Sequence, residues 1–340
     1  MQPVNRLATD EQIQCTPSKR DGIPTDVEEE VRVYACRQIQ QAGILLRLPQ
    51  AAMATAQVIL HRFWFVSSMK QFDVRHVAMG ALLLATKQVE VPVRLRELLL
   101  VFDFLYQRGL HYAKSSPGVR TKESHAGVHA VEANQEKKAA PIFKYQACDS
   151  HSTMMYDAKD AVMVAEMQIL KRLGFHVQVE LPYALMINYM QVMGILEVQL
   201  TSTRDPDTKL HAPQIAWNYL TDALQTPVYC LFPTHVIACA SIYLMTLHPN
   251  TLHEPLPLPL QPRPWWEVLD CTRNELRTVA AYILRLYDTS TGGTSRAGHG
   301  FAVRVREDEG GLVDIASRTG IRAWLCLLYT SPSPRDVEES

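Results

Sequence analysis

Apolar residues recur every three or four positions through most of the N-terminal part of the chain. Val27, Val31 and Tyr34 begin the first such series. This spacing places side chains on one face of an α-helix, with polar residues on the other face. Thr25 followed by Glu28 also fits a capping box, so we place the start of the first helix at Thr25. Further segments with helical spacing cover residues 49–63, 73–87 and 92–105.

The pattern changes between Gln107 and about Ser152. This stretch is rich in Lys, Ser, His and Gly and has little periodicity, which predicts a long polar loop or insertion. A fifth helix, "AVMVAEMQILKRLGF", should end at Gly174, because glycine readily adopts the left-handed conformation that ends helices. A second run of helices extends from Pro182 to Tyr287. Strand-type alternation is nearly absent, so the sequence predicts an all-α fold.

The two helical runs resemble each other. "HVAMGALLLAT" and "HVIACASIYLMT" both begin with His-Val and place small residues at matching positions, which lets neighbouring helices pack closely. Each run also closes with a helix of similar shape, "ILKRLGF" in the first and "ILRLYD" in the second. We therefore predict two tandem five-helix bundles, each built around its third helix.

These patterns divide the chain into successive parts. Residues 1–24 are polar and contain three prolines, which predicts a flexible N-terminal arm. The first bundle would cover residues 25–178, with the polar insertion at about 107–152, and the second would cover residues 179–288. Residues 289–340 predict a disordered tail, and its end, "CLLYTSPSPRD", resembles translated cloning or sequencing adapter.

Composition restricts the classes of function. The chain has 34 Lys and Arg against 35 Asp and Glu, so it has no overall attraction for nucleic acid or anionic membrane. Its longest apolar runs are too short to span a bilayer. The seven cysteines are scattered and form no C-x-x-C, which is typical of buried thiols in a reducing compartment. We expect a soluble intracellular protein.

The sequence contains no recognisable catalytic motif. It lacks the patterns of nucleophile elbows, zinc proteases and kinase catalytic loops, so we predict no catalytic residue and no cofactor. His125 and His129, with Cys148 and His151 downstream, have a spacing that suggests zinc. No compact ligand framework surrounds them, so we predict no metal site.

Five segments carry a family resemblance, in this order along the chain: "CRQIQQAGILLRLPQAAMATAQVILHRFWF" (36–65), "ATKQVEVPVRLRELLLVF" (85–102), "AEMQILKRLGFHV" (165–177), "AWNYLTDALQTPVY" (216–229) and "VIACASIYL" (236–244). They resemble the cyclins, and among these the L-type cyclins associated with transcription and splicing. The resemblance covers about residues 22–288 and is interrupted by the insertion.

The resemblance implies a regulatory protein rather than an enzyme. Cyclins bind a cyclin-dependent serine/threonine kinase and push its αC helix inward, so that the Lys–Glu pair of the kinase can form. In the family, the third and fifth helices of the first bundle make this contact. The kinase-binding residues that the resemblance implies for this chain are Lys87, Glu90, Glu166 and Phe175.

Two interpretations of Lys87 coexist. A cation at the C-terminal end of a helix stabilises it by roughly 0.3–1 kcal/mol, which would make Lys87 a solvated cap. With the resemblance, kinase contact is favoured, and loss of one partner from a desolvated interface pair costs on the order of 2–5 kcal/mol. The sequence differs from the family motif at one position. L-type cyclins usually have Lys-x-Glu-Glu here, and this chain has Val89 at the third position. We expect Val89 to extend the apolar contact surface.

The resemblance further implies a role in RNA polymerase II transcription and pre-mRNA splicing, in the nucleus. The implied partner is a PITSLRE-like or other transcriptional kinase, with splicing factors as further partners and no membrane or direct nucleic-acid binding. The alternative is a tandem cyclin-fold nucleic-acid scaffold of the general transcription factor type, since a fold does not set a function. Such a protein should have a strongly basic face and an N-terminal zinc ribbon, whereas this chain is near neutral.

Overall fold

The computed structural model describes residue 5 and residues 7–115, 143–149, 152–201, 209–247, 258 and 263–287. These residues confirm the predicted all-α fold, with one two-stranded antiparallel ladder that the sequence did not indicate. The helices are α1 (Asp10–Gln14), α2 (Pro17–Arg20), α3 (Thr25–Leu45), α4 (Gln50–Val66), α5 (Val74–Gln88), α6 (Leu95–Ser115), α7 (Thr153–Arg172), α8 (Tyr183–Val192), α9 (Ala212–Ala223), α10 (Val228–Leu231), α11 (Thr234–Thr246), α12 (Trp265–Val268) and α13 (Arg273–Arg285). The strands are β1 (Gln199–Thr201) and β2 (Lys209–His211).

Helix α5 is the centre of the first bundle. Asp73 caps its start by accepting a hydrogen bond from the Arg75 N–H at 2.7 Å. Every residue from Val77 to Thr86 is buried, because α3, α4, α6 and α7 surround the helix. A helix that is apolar on all sides is stable only when neighbours cover each face. The five-helix arrangement therefore follows from the composition of α5.

The predicted polar insertion at 107–152 is wrong at its N-terminal end, because α6 continues to Ser115. The polar residues there extend the helix through contacts one turn apart. Gln107 donates to the Asp103 carboxylate at 2.8 Å, and the Arg108 guanidinium lies 5.5 Å from the centre of the Phe104 ring. At the other end α7 begins at Thr153, while residues 116–142, 150 and 151 lie outside the described part.

The N-terminal segment also differs from the flexible arm predicted for residues 1–24. Its described part contains α1 and α2, which Thr9 and Thr16 cap with their side-chain oxygens. Ser18 is fully buried and its Oγ accepts a hydrogen bond from the Met69 N–H at 3.1 Å. Prolines predict irregular structure, but Pro17 is the first residue of α2, where its missing N–H leaves no bond unmade.

The start of α3 is at Thr25 as predicted, yet the capping box is wrong because no side chain caps this helix. Glu28 instead accepts hydrogen bonds from Arg32 Nη2 at 2.6 Å and from Thr16 Oγ at 2.5 Å. Both side chains of the Glu28–Arg32 ion pair are 4% exposed. Arg32 Nη1 also donates to the carbonyl of His61 at 3.3 Å. This buried pair therefore fixes α3 against α4.

The second bundle is built around α11, which α8, α9 and α13 contact. Its core is separate from the first and includes Met186, Leu220, Ile237, Ile242 and Ile283. The ladder pairs β1 with β2 and leads directly into α9. None of the described helices is long and apolar enough to cross a lipid bilayer. The domain limits at 25–178 and 179–288 stay predictions, and the tail at 289–340 lies outside the described residues.

Helix α4 joins the two bundles. Its Phe63 belongs to the first core, while Ala54 and Val58 belong to the second. His61 is fully buried between them, and its Nε2 lies 3.0 Å from the carbonyl of Leu224. Burial lowers the pKa of His61 to about 3, so the imidazole is neutral and donates this hydrogen bond through Nε2.

Candidate partner-binding site

Lys87 lies in the last turn of α5, which ends in a Schellman motif. The N–H of Glu90 donates to the carbonyl of Lys87 at 3.3 Å, and the N–H of Val91 donates to the carbonyl of Thr86 at 2.9 Å. This motif requires a left-handed residue just after the helix, and Glu90 occupies it with a φ of 60°. The end of α5 is therefore a defined turn that fixes the position of Lys87.

Glu166 lies on α7, and a close contact between helices brings it to α5. A Cβ atom placed on Gly80 would lie 3.0 Å from the backbone nitrogen of Glu166 and 3.2 Å from the Ala165 carbonyl carbon. Glycine at this position therefore permits the two backbones to approach closely. Gly80, one of the small residues of the third helix, therefore sets the distance between α5 and α7, the two helices that carry the candidate site.

Lys87 and Glu166 form an ion pair. Lys87 Nζ donates to Glu166 Oε1 at 2.6 Å and to Oε2 at 2.8 Å. The Lys87 side chain is 53% exposed and that of Glu166 is 13% exposed. A pair with one solvated partner contributes about 0.2–1 kcal/mol to folding. The pair thus adds little to the stability of the chain and leaves the Lys87 side chain half exposed at the surface.

An apolar groove surrounds the ion pair. It has a volume of 510 Å³, and the side chains that line it are Lys87, Met163, Glu166, Met167, Leu170, Lys171 and Phe175. Met163 and Met167 are about half exposed, at 51% and 54%. Phe175 is 72% exposed. Apolar side chains of this size gathered on one surface favour a protein partner, and methionine adapts to the shape of what it contacts.

Phe175 is held at the edge of this groove by the end of α7. Gly174 has a φ of 58°, as predicted for the residue that ends the helix, and Phe175 itself has a φ of 62°. The N–H of Phe175 donates to the carbonyl of Leu170 at 2.9 Å, and that of Gly174 donates to Lys171 at 3.2 Å. Two left-handed residues in succession turn the chain sharply away from the helix axis.

The structure brings together three of the four candidate residues. Lys87, Glu166 and Phe175 line the groove, whereas Glu90 is exposed and is not among the lining residues. Val89 is partly buried and packs against the core of the first bundle. Val89 is not among the residues that line the groove, and its expected contribution to the apolar contact surface stays a prediction.

Sequence reasoning missed the methionines of the groove. Met163, Met167 and Leu170 follow each other at spacings of four and three, so one face of α7 presents all three. The opposite face buries Val162, Ala165 and Ile169. A helix that is apolar on two faces but has only one core to contact is a signal that could have identified the groove.

Other kinds of site have little support in the described residues. Within these ranges no group of His, Cys, Asp and Glu is arranged to hold a metal ion. Cys148 Sγ lies 3.1 Å from Ser152 Oγ, while His125, His129 and His151 lie outside the described part. The groove itself contains one carboxylate, which is already paired with a lysine.

Comparison with known proteins places this geometry in a family. The model of the cyclin N-terminal domain matches residues 4–110. Cyclin-L2 of Homo sapiens is 34% identical over 283 residues, which cover 83% of this chain and 45% of the relative. Cyclin-L1 of Gallus gallus is 34% identical over 283 residues, with 83% and 44% covered. The chain thus spans about half the length of the relatives it matches.

The fold has a counterpart among solved structures. A chain of the yeast RNA Pol II CTD kinase CTDK-1 complex superimposes with a TM-score of 0.56 and 14% sequence identity, covering 84% of this chain and 74% of that one. Identity at this level shows a shared fold. Together with the 34% identity to L-type relatives, it accounts for the tandem helical bundles. The chain belongs to the cyclin family, and its relatives there are the L-type cyclins.

Proposed function

We propose that the chain is a non-catalytic regulatory subunit that binds and activates a cyclin-dependent kinase through the groove between α5 and α7. The observation that carries this proposal is the ion pair of Lys87 with Glu166 inside an exposed apolar groove. Membership of the cyclin family supports it, because that family implies a regulatory protein that binds a kinase.

The groove has the properties of a binding surface for a helix. Burying Met163, Met167 and Phe175 removes exposed apolar area from water, at roughly 25 cal/mol per Å². The Lys87–Glu166 pair would lose its solvent on complex formation, which strengthens its interaction with charged and polar groups of the partner. An apolar surface with a central charge pair gives both affinity and register to a docked helix, such as the αC helix of a kinase.

The finer parts of the function follow from the resemblance to L-type cyclins. We propose a role in RNA polymerase II transcription and pre-mRNA splicing, in the nucleus, with a PITSLRE-like or other transcriptional kinase as partner. Splicing factors would be further partners. The four proposed kinase-binding residues remain Lys87, Glu90, Glu166 and Phe175, with Glu90 at the periphery because it lies outside the groove.

A charge-swap cycle tests the proposal. Lys87→Glu, Glu166→Lys and the double variant would be compared with wild type for melting temperature and for affinity to purified PITSLRE-type and other transcriptional kinases. The swap of Arg94, just before α6, with Glu97 in its first turn serves as the matched control, because this ion pair is exposed. We expect the double variant to recover folding stability, because the ion pair re-forms, but not kinase affinity, because the kinase meets reversed charges. The single variants should bind about tenfold or more weakly.

Recovery of kinase affinity in the double variant would contradict a direct contact, because the pair would then act only within the chain. If no kinase binds wild type and the protein shifts DNA at moderate salt, the scaffold alternative replaces the proposal. Activation is measured separately, as phosphorylation of a polymerase C-terminal-domain peptide by the kinase with and without the chain.

A further inference from the structure

Arg62 carries a buried positive charge on α4. The residue is 8% exposed, and no ion pair among the described residues includes it. Its Nη1 donates to the carbonyl of Gln178 at 2.6 Å, and its Nη2 donates to Asn5 Oδ1 at 2.8 Å. Its Nε is buried without a hydrogen-bond partner. A buried positive charge without an ion-pair partner costs free energy, so this arrangement favours an anion close to the guanidinium.

A cleft of 260 Å³ lies beside Arg62, between the N-terminal segment, the end of α4 and the end of α7. None of the described residues that line it is acidic. Arg172 and His176 add further groups that can carry positive charge, and Gln12 adds a side-chain amide. Burial lowers the pKa of Arg62, which agrees with a cation that lacks a nearby carboxylate. The described side chains that can carry a charge near neutral pH in this cleft are therefore all basic.

Arg172 is held at this cleft by its contact with Phe72. Its guanidinium lies 4.9 Å from the centre of the Phe72 ring, a stacking that restricts the orientation of the planar group. The carbonyls at the end of α7 would repel an anion, but they accept hydrogen bonds from following N–H groups. Those donors are Leu173 at 3.0 Å, Gly174 at 3.2 Å and Phe175 at 2.9 Å.

We propose that this cleft binds a phosphate group between the guanidinium groups of Arg62 and Arg172, with His176 at its rim. Planar guanidinium groups donate paired hydrogen bonds that match phosphate oxygens. A free phosphate ion and a phosphorylated Ser or Thr side chain present the same group. Since Asn5 bonds both Arg62 and the backbone of Glu180, a phosphate on Arg62 would also hold the N-terminal segment at the junction of the bundles. This site is separate from the proposed kinase groove.

The test measures phosphate binding to the full chain by calorimetry and by melting temperature, at constant ionic strength maintained with sodium chloride. The probes are inorganic phosphate, a capped Gly-phosphothreonine-Gly peptide and its unphosphorylated parent. The variants are Arg172→Gln, which is exposed and should fold, and Arg62→Gln. Arg96→Gln, an exposed arginine of α6, is the matched control.

We expect saturable phosphate binding by wild type and by Arg96→Gln, with a Kd of about 1 mM or tighter. Arg172→Gln should bind about tenfold more weakly, because it lacks one charge-assisted contact, and Arg62→Gln should not bind. Tighter binding of the phosphopeptide than of free phosphate assigns the site to a phosphorylated protein, and the reverse order assigns it to the free ion. Absence of saturable binding to wild type overturns the site, and so does equal affinity of wild type and Arg172→Gln.

Discussion

Helices α7 and α13 close the first and second bundles, and they differ in the face they present to solvent. Helix α13 buries Leu276, Val279, Ala280 and Ile283, and its exposed positions include Arg277 and Thr278. Helix α7 buries Val162, Ala165 and Ile169, and it exposes Met163, Val164 and Met167. Arg285 at the end of α13 contacts Glu29 of the same chain at 3.0 Å. Helix α13 therefore leaves one large apolar side chain exposed, Leu284 at 46%, whereas α7 exposes several together on one surface.

The central helices differ in the same way. Both α5 and α11 carry His-Val in their first turn and are surrounded by apolar neighbours. The last turn of α5 carries Lys87, which pairs with a carboxylate of α7, while α11 ends in the apolar and hydroxyl residues "YLMT". The repeated architecture thus explains stability in both bundles. The proposed function depends on a few residues at the end of α5 and on the outer face of α7, which only the first bundle carries among the described residues.

The largest expected effect comes from a charge on the exposed face of α7. Met167→Glu should weaken kinase binding at least about 100-fold, because a carboxylate would replace an apolar side chain at the centre of the interface and lose its water there. Folding stability should change by less than about 0.5 kcal/mol, since Met167 is half exposed. Calorimetric titration against the kinase measures the first effect, and urea unfolding measures the second.

Ala281→Glu, at an exposed position of α13, is the matched control for this charge. It should leave kinase affinity unchanged. If both variants weaken binding equally, the difference between α7 and α13 has no functional meaning.

A second prediction concerns the contact between α5 and α7. Gly80→Val should lower the free energy of unfolding by about 2 kcal/mol, because its side chain would overlap the backbone at Glu166, where even a Cβ comes within 3.0 Å. Kinase affinity should fall as well, since α7 must move away from Lys87. Chemical denaturation measures the stability. Ala281→Val adds the same side chain to a solvent-facing site and should cost less than about 0.5 kcal/mol, and a similar loss in both would argue against a close helix contact.

The third prediction concerns His61, which is buried between the bundles. Its pKa falls from 6.5 to about 3 on folding, so the unfolded chain takes up a proton between these pH values and the folded chain does not. Its contribution is complete above pH 6.5 and is lost as the pH falls toward 3. Between pH 7 and pH 4.5, wild type should lose about 2.5 kcal/mol relative to His61→Gln.

Urea unfolding of both proteins across this pH range measures that difference. Burial raises the pKa of Glu30 to about 7, which gives a slope of opposite sign, but both proteins contain Glu30 and its contribution cancels. Parallel pH profiles for the two proteins would show that His61 is protonated in the folded chain.

The smallest expected effect is at Glu90. Its φ of 60° is unfavourable for a residue with a side chain, so Glu90→Gly should raise the free energy of unfolding by about 0.5–1 kcal/mol. Arg47 occupies the same position after α3, with a φ of 55°, and Arg47→Gly should give a similar gain. Thermal unfolding measures both. Kinase affinity should change much less than for Met167→Glu, and a loss as large as that one would place Glu90 at the centre of the interface.

Much of the first bundle could be predicted from the sequence. Apolar residues recur every three or four positions in its helices, so each helix has an apolar face that must pack against a core. Helix α5 was predicted at residues 73–87 and lies at Val74–Gln88. The end of α6 could not be predicted in this way, since its last turns are held by contacts such as that of Gln107 with Asp103. The capping residues Thr9 and Thr16 were visible, but their segment was too short and polar to show a period.

The candidate site was predictable only in part. The resemblance indicated Lys87 and Glu166, and the structure places their side chains 2.6 Å apart. The methionines of α7 look like core residues in the sequence, because a pattern of apolar residues does not say which face has a neighbour. Arg62 could not be recognised either, since its partners Asn5 and Gln178 are distant in the sequence.

Photo-cross-linking is the measurement that tests the central claim most directly. A benzoylphenylalanine at position 175 replaces one exposed aromatic side chain with another, and the same group at position 281 of α13 is the control. With a PITSLRE-type kinase and light, position 175 should cross-link to the αC helix of the kinase, and position 281 should not. Cross-links to the kinase from position 281 alone, or from neither position in a complex that does form, would contradict a kinase-binding groove between α5 and α7.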